Sequence, residues 1–201
     1  MAVDQQTVDI SKFTLNDIHI GTRLYAALVA HARATRGAPV FYSDLLDQAK
    51  KLDAQDTELQ RAVPVGIGMK LLFVEAFCVS NGYPNLACLA VSKARGTPGD
   101  GYKGDWEADK RAVAEFDWST AQASLDAYVV HARRVATPKK RRGYDVAKTL
   151  RWEHYSANRQ AYAGFTADEE MEVLNLLIEG FEPDEAYHRV VAARMSMQEA
   201  Q

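Results

Sequence analysis

At 201 residues, 47% of them hydrophobic and 25% charged, with a formal net charge of −3, the chain can bury one sizeable core or two small ones, and wholesale disorder is excluded. The first residues lack a basic start and an apolar run, and nothing approaches the ~18 uninterrupted apolar residues of a membrane span, so a cytoplasmic protein with no membrane partner is expected. Cys78 and Cys88 sit in apolar surroundings without zinc or thioredoxin spacing, which predicts buried thiols in a reducing compartment.

Leu15, Ile18, Tyr25, Leu28, Val29 and Ala32 recur at three- and four-residue steps, which predicts an amphipathic helix over residues 16–35, closed by Gly37 and Pro39. Val40-Phe41-Tyr42 is short, β-branched and aromatic and predicts a strand, with Ser43 capping a helix over 44–52. The run from Val65 to Ser80 predicts a buried helix ending near Asn81-Gly82. Gly66 and Gly68 each cost up to ~1 kcal/mol in a helix interior, so they are placed in the first turn. A backbone or ligand must then come close, either a phosphate on the helix amides or a packed neighbour. Leu86 to Val91 is a continuous apolar run of strand length and predicts a buried strand. Between Arg95 and Gly104, four glycines and one proline predict a tight exposed loop, after which Asp105 caps a helix. A further helix carries Leu125, Tyr128, Val129 and Ala132 on one face.

Charge then becomes the strongest signal. Nine Lys and Arg residues against two acids lie between His131 and Arg159, a local balance of plus seven, and eight acids without a base follow between Asp168 and Glu185. The run Lys139-Lys140-Arg141-Arg142 stands near Tyr144, Trp152, Tyr155 and Tyr162, a pattern that fits a surface meeting phosphate and equally a solvated linker. Gly143 separates this run from a helix in which Lys148, Trp152, Tyr155, Arg159 and Tyr162 fall on neighbouring positions, and whose rings either stack bases or join a core. Thr166-Ala167-Asp168-Glu169 reads as a capping box, Gly180 as a stop, and Pro183 as the start of a last helix.

Val40 to Leu45, Gly66 to Leu71, Pro84 with its apolar run, and Gly96 to Tyr102 with Lys110 together resemble the C-terminal DNA-binding domain of alkylguanine DNA alkyltransferases and alkyltransferase-like proteins, over residues 38–118. The resemblance implies a winged-helix-like unit whose glycine-bearing helix approaches the minor groove. It breaks at the chemistry. Leu89 and Ala90 follow Cys88 where that family has His and Arg, and no proline stands directly before it. A thiol without a base or positive neighbour is a poor nucleophile, so alkyl transfer is rejected. The arginine finger of that family is also missing, Pro64-Val65 standing in its place, which leaves base flipping in doubt.

No other catalytic constellation is present. The five histidines show no ligand spacing, and neither a dinucleotide fingerprint, a P-loop nor a nucleophile elbow occurs. Asp100, Asp105, Glu107 and Asp109 with Lys103 and Lys110 resemble a nuclease's acid and lysine mix, but a solvated helix start explains them as well.

The fold class expected is mainly α with a short two-stranded sheet (α+β). A winged-helix-like domain occupies residues 1–118 and a helical region 119–201, which contains the basic segment 131–159 and acidic helices over 166–199. The function expected is non-enzymatic contact with duplex DNA, without cofactor or metal. Its candidate residues are Gly66, Gly68, Lys70, Lys93, Arg95, Lys103, Lys139, Lys140, Arg141, Arg142, Lys148 and Arg151. The alternative is an interaction or regulatory protein of a phage or other mobile element, acting through self-association or a protein target. In that case the acidic helices clasp the basic segment. A metal-dependent nuclease is the third reading.

Overall fold

Thr14 fixes where the first helix begins. Its hydroxyl accepts from the Asp17 amide at 3.1 Å and the Asp17 carboxylate accepts from the Thr14 amide at 3.0 Å, a reciprocal cap that opens α1 (Leu15–Thr35) in the computed structural model, which describes residues 9–99, 102 and 104–198. Arg36, at φ 56°, and Gly37, at φ 78°, turn the chain out through the left-handed region. β1 (Val40–Phe41) leads directly into α2 (Tyr42–Leu52). Ser43 is not its cap: the helix starts one residue earlier, Phe41 holds the cap position without a side-chain bond, and the Ser43 hydroxyl donates to Asp44 instead.

Asp56 caps the short α3 (Thr57–Arg61), and a 3-10 turn over Pro64–Gly66 precedes α4 (Gly68–Ser80), so both glycines lie at the helix start as expected. α4 is apolar on nearly every side and packs lengthwise on α1. Gly21 permits the approach, since a Cβ there would stand 2.7 Å from the Phe73 ring. The apolar run after Pro84 divides, in contrast to the continuous strand expected. The Asn85 side chain accepts from the Ala87 amide at 3.2 Å and starts a 3-10 turn over Leu86–Leu89, leaving only Ala90–Val91 as β2. β1 and β2 pair in parallel, Val40 with Ala90 and Phe41 with Val91.

Asp105 caps α5 (Trp106–Glu115) through the Ala108 amide, and a 3-10 turn over Trp118–Ala121 leads into α6 (Gln122–Val135). One core runs from Phe13 through α1, α4 and the 3-10 turn to Trp118, Leu125, Tyr128 and Ala132. Phe13, Phe73 and Phe77 are fully buried in it, and truncating any one of them to alanine costs roughly 3–5 kcal/mol. α6 therefore belongs to this first core. Its Leu125, Tyr128 and Ala132 stripe faces the first core, Tyr128 lying against Phe73 and Phe77, and the connection 136–143 follows it.

α7 (Tyr144–Ala157), α8 (Ala167–Glu179) and α9 (Pro183–Gln198) enclose a second core of Ala147, Tyr162, Val173, Leu177, Phe181, Ala186 and Val190. Thr166 and Glu169 make the expected capping box, Gly180 closes α8 at φ 105°, and Arg194 of α9 returns to Glu169 at 2.5 Å. The described residues are thus mainly helical, with one short two-stranded sheet among them. No helix among the described residues is long and apolar enough to cross a membrane.

Candidate binding cleft and basic segment

The connection 136–143 crosses from the first core to the second, and most of its cations are occupied on the way. The Arg142 amide donates to Ile178 O at 2.9 Å. Its guanidinium donates to Leu177 O at 3.2 Å and Phe181 O at 2.5 Å and pairs with Glu182. The end of α8 leaves carbonyls without helical partners, and Arg142 satisfies them as a cation at the negative end of the helix dipole. Lys139 lies 3.5 Å from Glu185 and 4.1 Å from the centre of the Phe181 ring. Arg141 pairs with Glu58 of α3, and Arg151 with Glu170 of α8 at 2.8 Å. Lys93, Lys140 and Lys148 are exposed, and no ion pair to another described residue holds them; Lys93 stands 5.7 Å from the Phe41 ring. Arg95 is half-buried, and Lys103 lies outside the described residues.

The aromatic set near the basic run divides. Tyr162 is buried in the second core against Phe165 and Tyr187, and its hydroxyl meets His154 Nδ1 at 2.7 Å. Tyr155 is half-buried, while Tyr144, Val146 and Trp152 remain 50%, 55% and 60% exposed along α7.

The glycine-bearing helix start faces inward. A Cβ on Gly66 would collide with the Glu172 carboxylate, so the close neighbour that this glycine admits is a side chain of α8. Gly68 is exposed with nothing near its Cβ position. Lys70, expected to face phosphate, is only 5% exposed, with its ammonium 3.4 Å from Asp17 and 3.7 Å from Glu172. Glu179 completes the cluster, accepting from Asn16 Nδ2 at 2.5 Å and from the Thr14 hydroxyl at 3.2 Å. Asn175 ties α8 to the Arg61 carbonyl at 3.0 Å. α1, α4 and α8 thus meet through one lysine and three carboxyl groups, and the two cores are joined by polar contacts.

Burial alone pulls the Lys70 ammonium down, but the carboxyl groups of Glu172, Asp17 and Glu179 override it and hold the group above its ordinary value. Burial pushes the Glu179 carboxyl up to about 7, with the lysine only partly offsetting it, and moves Glu172 in the same direction. Glu172 and Glu179 are seven residues apart, on the same face of α8 as Leu176. Two acids on an apolar helix stripe were the available sign that this helix buries charge.

Beside the cluster, α4, the 3-10 turn before β2, Pro98, Gly99, Tyr102 and α9 wall a cleft of about 460 Å³. Its sides are largely apolar, from Met69, Leu72, Ala87, Val190 and Ala193, with Glu75, Asn85 and Tyr102 among the polar groups. The Tyr102 hydroxyl donates to Asp109. Glu107 pairs with Lys110 at 2.7 Å and Asp105 caps α5, so these three acids of the suspected nuclease set have structural partners; Asp100 lies outside the described residues. No group of three or more His, Cys, Asp or Glu among the described residues is arranged to hold a metal ion.

Both thiols are buried and free, and burial pushes each up to about 12. At neutral pH neither is a nucleophile. No known protein family, curated protein or solved structure matches the chain.

Proposed function

We propose that this chain is a non-catalytic binding protein of the interaction or regulatory kind, meeting a second copy of itself or a protein target through α7, with the exposed Trp152 as its anchor. One observation carries this reading. Lys139, Arg141, Arg142 and Arg151 are each committed to carboxylates of the same chain, while Tyr144, Val146 and Trp152 stay in water. A surface that binds phosphate through released counterions needs its cations free, and here four of the expected contacts would first have to leave an acid. Large aromatic side chains left exposed are, by contrast, the residue types that dominate protein interfaces.

Duplex binding is the second reading, and the exposed side chains of Lys93, Lys140 and Lys148 support it. Sedimentation over a range of protein concentrations, paired with gel-shift titration at two salt concentrations, separates the two. Concentration-dependent assembly, or binding to an isolated protein target, that Trp152→Ala removes supports the first reading. Duplex binding that Lys93→Ala, Lys140→Ala and Lys148→Ala remove together, with a salt slope near 0.9 per phosphate contact, replaces it with the second. Cleavage of plasmid DNA on adding magnesium or manganese would overturn both in favour of a nuclease.

A further inference from the structure

The cleft between α4 and α9 is separate from the α7 surface, and its shape and charge suit a different kind of occupant. At about 460 Å³ it falls within the range of small-molecule sites, and its walls are apolar with a few convergent polar groups. α9 closes one side with Val190, Ala193 and Ser196.

The charge within it is one-sided. Asp17, Glu172, Glu179 and Glu75 line the cleft against two cations, Lys70 and Arg189. Both cations are already engaged: Lys70 by Asp17 and Glu172, and Arg189 by Glu185 at 3.4 Å, with its guanidinium 4.3 Å from the Phe181 ring centre. An anion entering here would face four carboxyl groups and only two cations, each already beside an acid. A neutral apolar molecule would take further water from the half-buried Glu75 carboxyl, which has the Asn85 side chain as a hydrogen-bond partner but no cation beside it. A positively charged head answers both conditions, while apolar walls take the remainder of the molecule.

We infer that this cleft binds a small organic cation, an amine carrying an apolar or aromatic body, with its charged head beside Glu75 and its body along Met69, Leu72 and Ala193. Binding draws on the hydrophobic effect for the body and on a charge-assisted hydrogen bond for the head. It uses neither the α7 surface nor the exposed lysines, so it stands or falls independently of self-association and of duplex binding.

Calorimetric titration of the full chain at neutral pH with 4-phenylbutylamine, 4-phenylbutanol and 4-phenylbutyrate tests this, because the three probes share a body and differ in the head. The amine is expected to bind about tenfold more tightly than the alcohol, and the acid more weakly still. Glu75→Gln should weaken the amine by about tenfold and leave the alcohol unchanged. Ala193→Trp, which fills the cleft, should abolish binding of all three. Ser196→Trp at the exposed mouth serves as the block if the Ala193 variant does not fold. Absence of amine binding at millimolar concentration, equal binding of amine and acid, or amine binding indifferent to both the Glu75 and the blocking variant would each overturn the inference.

Discussion

Replacing Glu179 by glutamine should remove a defined part of the pH dependence of stability. Burial holds this carboxyl at about 7 in the folded chain, against an ordinary 4.5. The folded state therefore keeps its proton over an interval in which the unfolded chain has released it. The stabilisation this gives is fully present below pH 4.5 and is lost as the pH rises through about 7. A displacement of that size corresponds to about 3 kcal/mol. Glutamine mimics the protonated acid: its carbonyl can accept from Asn16, and its amide can donate to the Thr14 hydroxyl. Urea unfolding followed by circular dichroism should give nearly equal stabilities for the two proteins at about pH 4, with the variant ahead by about 3 kcal/mol at about pH 8. Glu172 is raised in the same direction and is present in both chains, so the difference curve reports Glu179 together with its coupling to Glu172 and Lys70. Parallel curves across the whole interval would refute the reasoning.

The two glycines at the start of α4 should respond oppositely to alanine. Gly66→Ala forces the Glu172 carboxylate off Lys70 and should lower stability by roughly 1–3 kcal/mol, whereas Gly68→Ala, in open space, should raise it by up to ~1 kcal/mol, both read by urea unfolding. Lys70→Met should cost about 3–5 kcal/mol at neutral pH by leaving buried carboxylates uncompensated, with the loss shrinking on acidification as they take up protons. Iodoacetamide at mildly alkaline pH should leave both Cys78 and Cys88 unlabelled in the folded protein and modify both in urea, as mass spectrometry would record; labelling of native Cys88 would contradict its burial.

Several local signals in the sequence stand in the structure, although the Ser43 cap does not. The Thr166 and Glu169 box, the Gly180 stop and the Asp105 cap each involve groups within a few residues, and each stands where the spacing indicates. The Leu86 to Val91 run was misread because its apolar content suits a buried turn as well as a strand, and a single Asn85 side chain decides between them. The fate of the cations was not legible in the same way. Lys70 meets Glu172, Arg141 meets Glu58 and Arg142 meets Phe181 O, partners whose proximity depends on how the two cores dock. A charge pattern along the chain gives local density but not which way a side chain turns, and that direction separates an exposed polycation from an internal clasp.

The parallel pairing of Val40 with Ala90 has a consequence for how the chain folds. Strands of two residues are too short to hold themselves together, and joining them closes a loop whose entropy must be offset first by the helices wound between them. This ladder should therefore zip last in the first core. Its amides, as late reporters in pulsed hydrogen exchange, would date the completion of native topology, and its brevity leaves little edge on which a neighbouring chain might nucleate an aggregate.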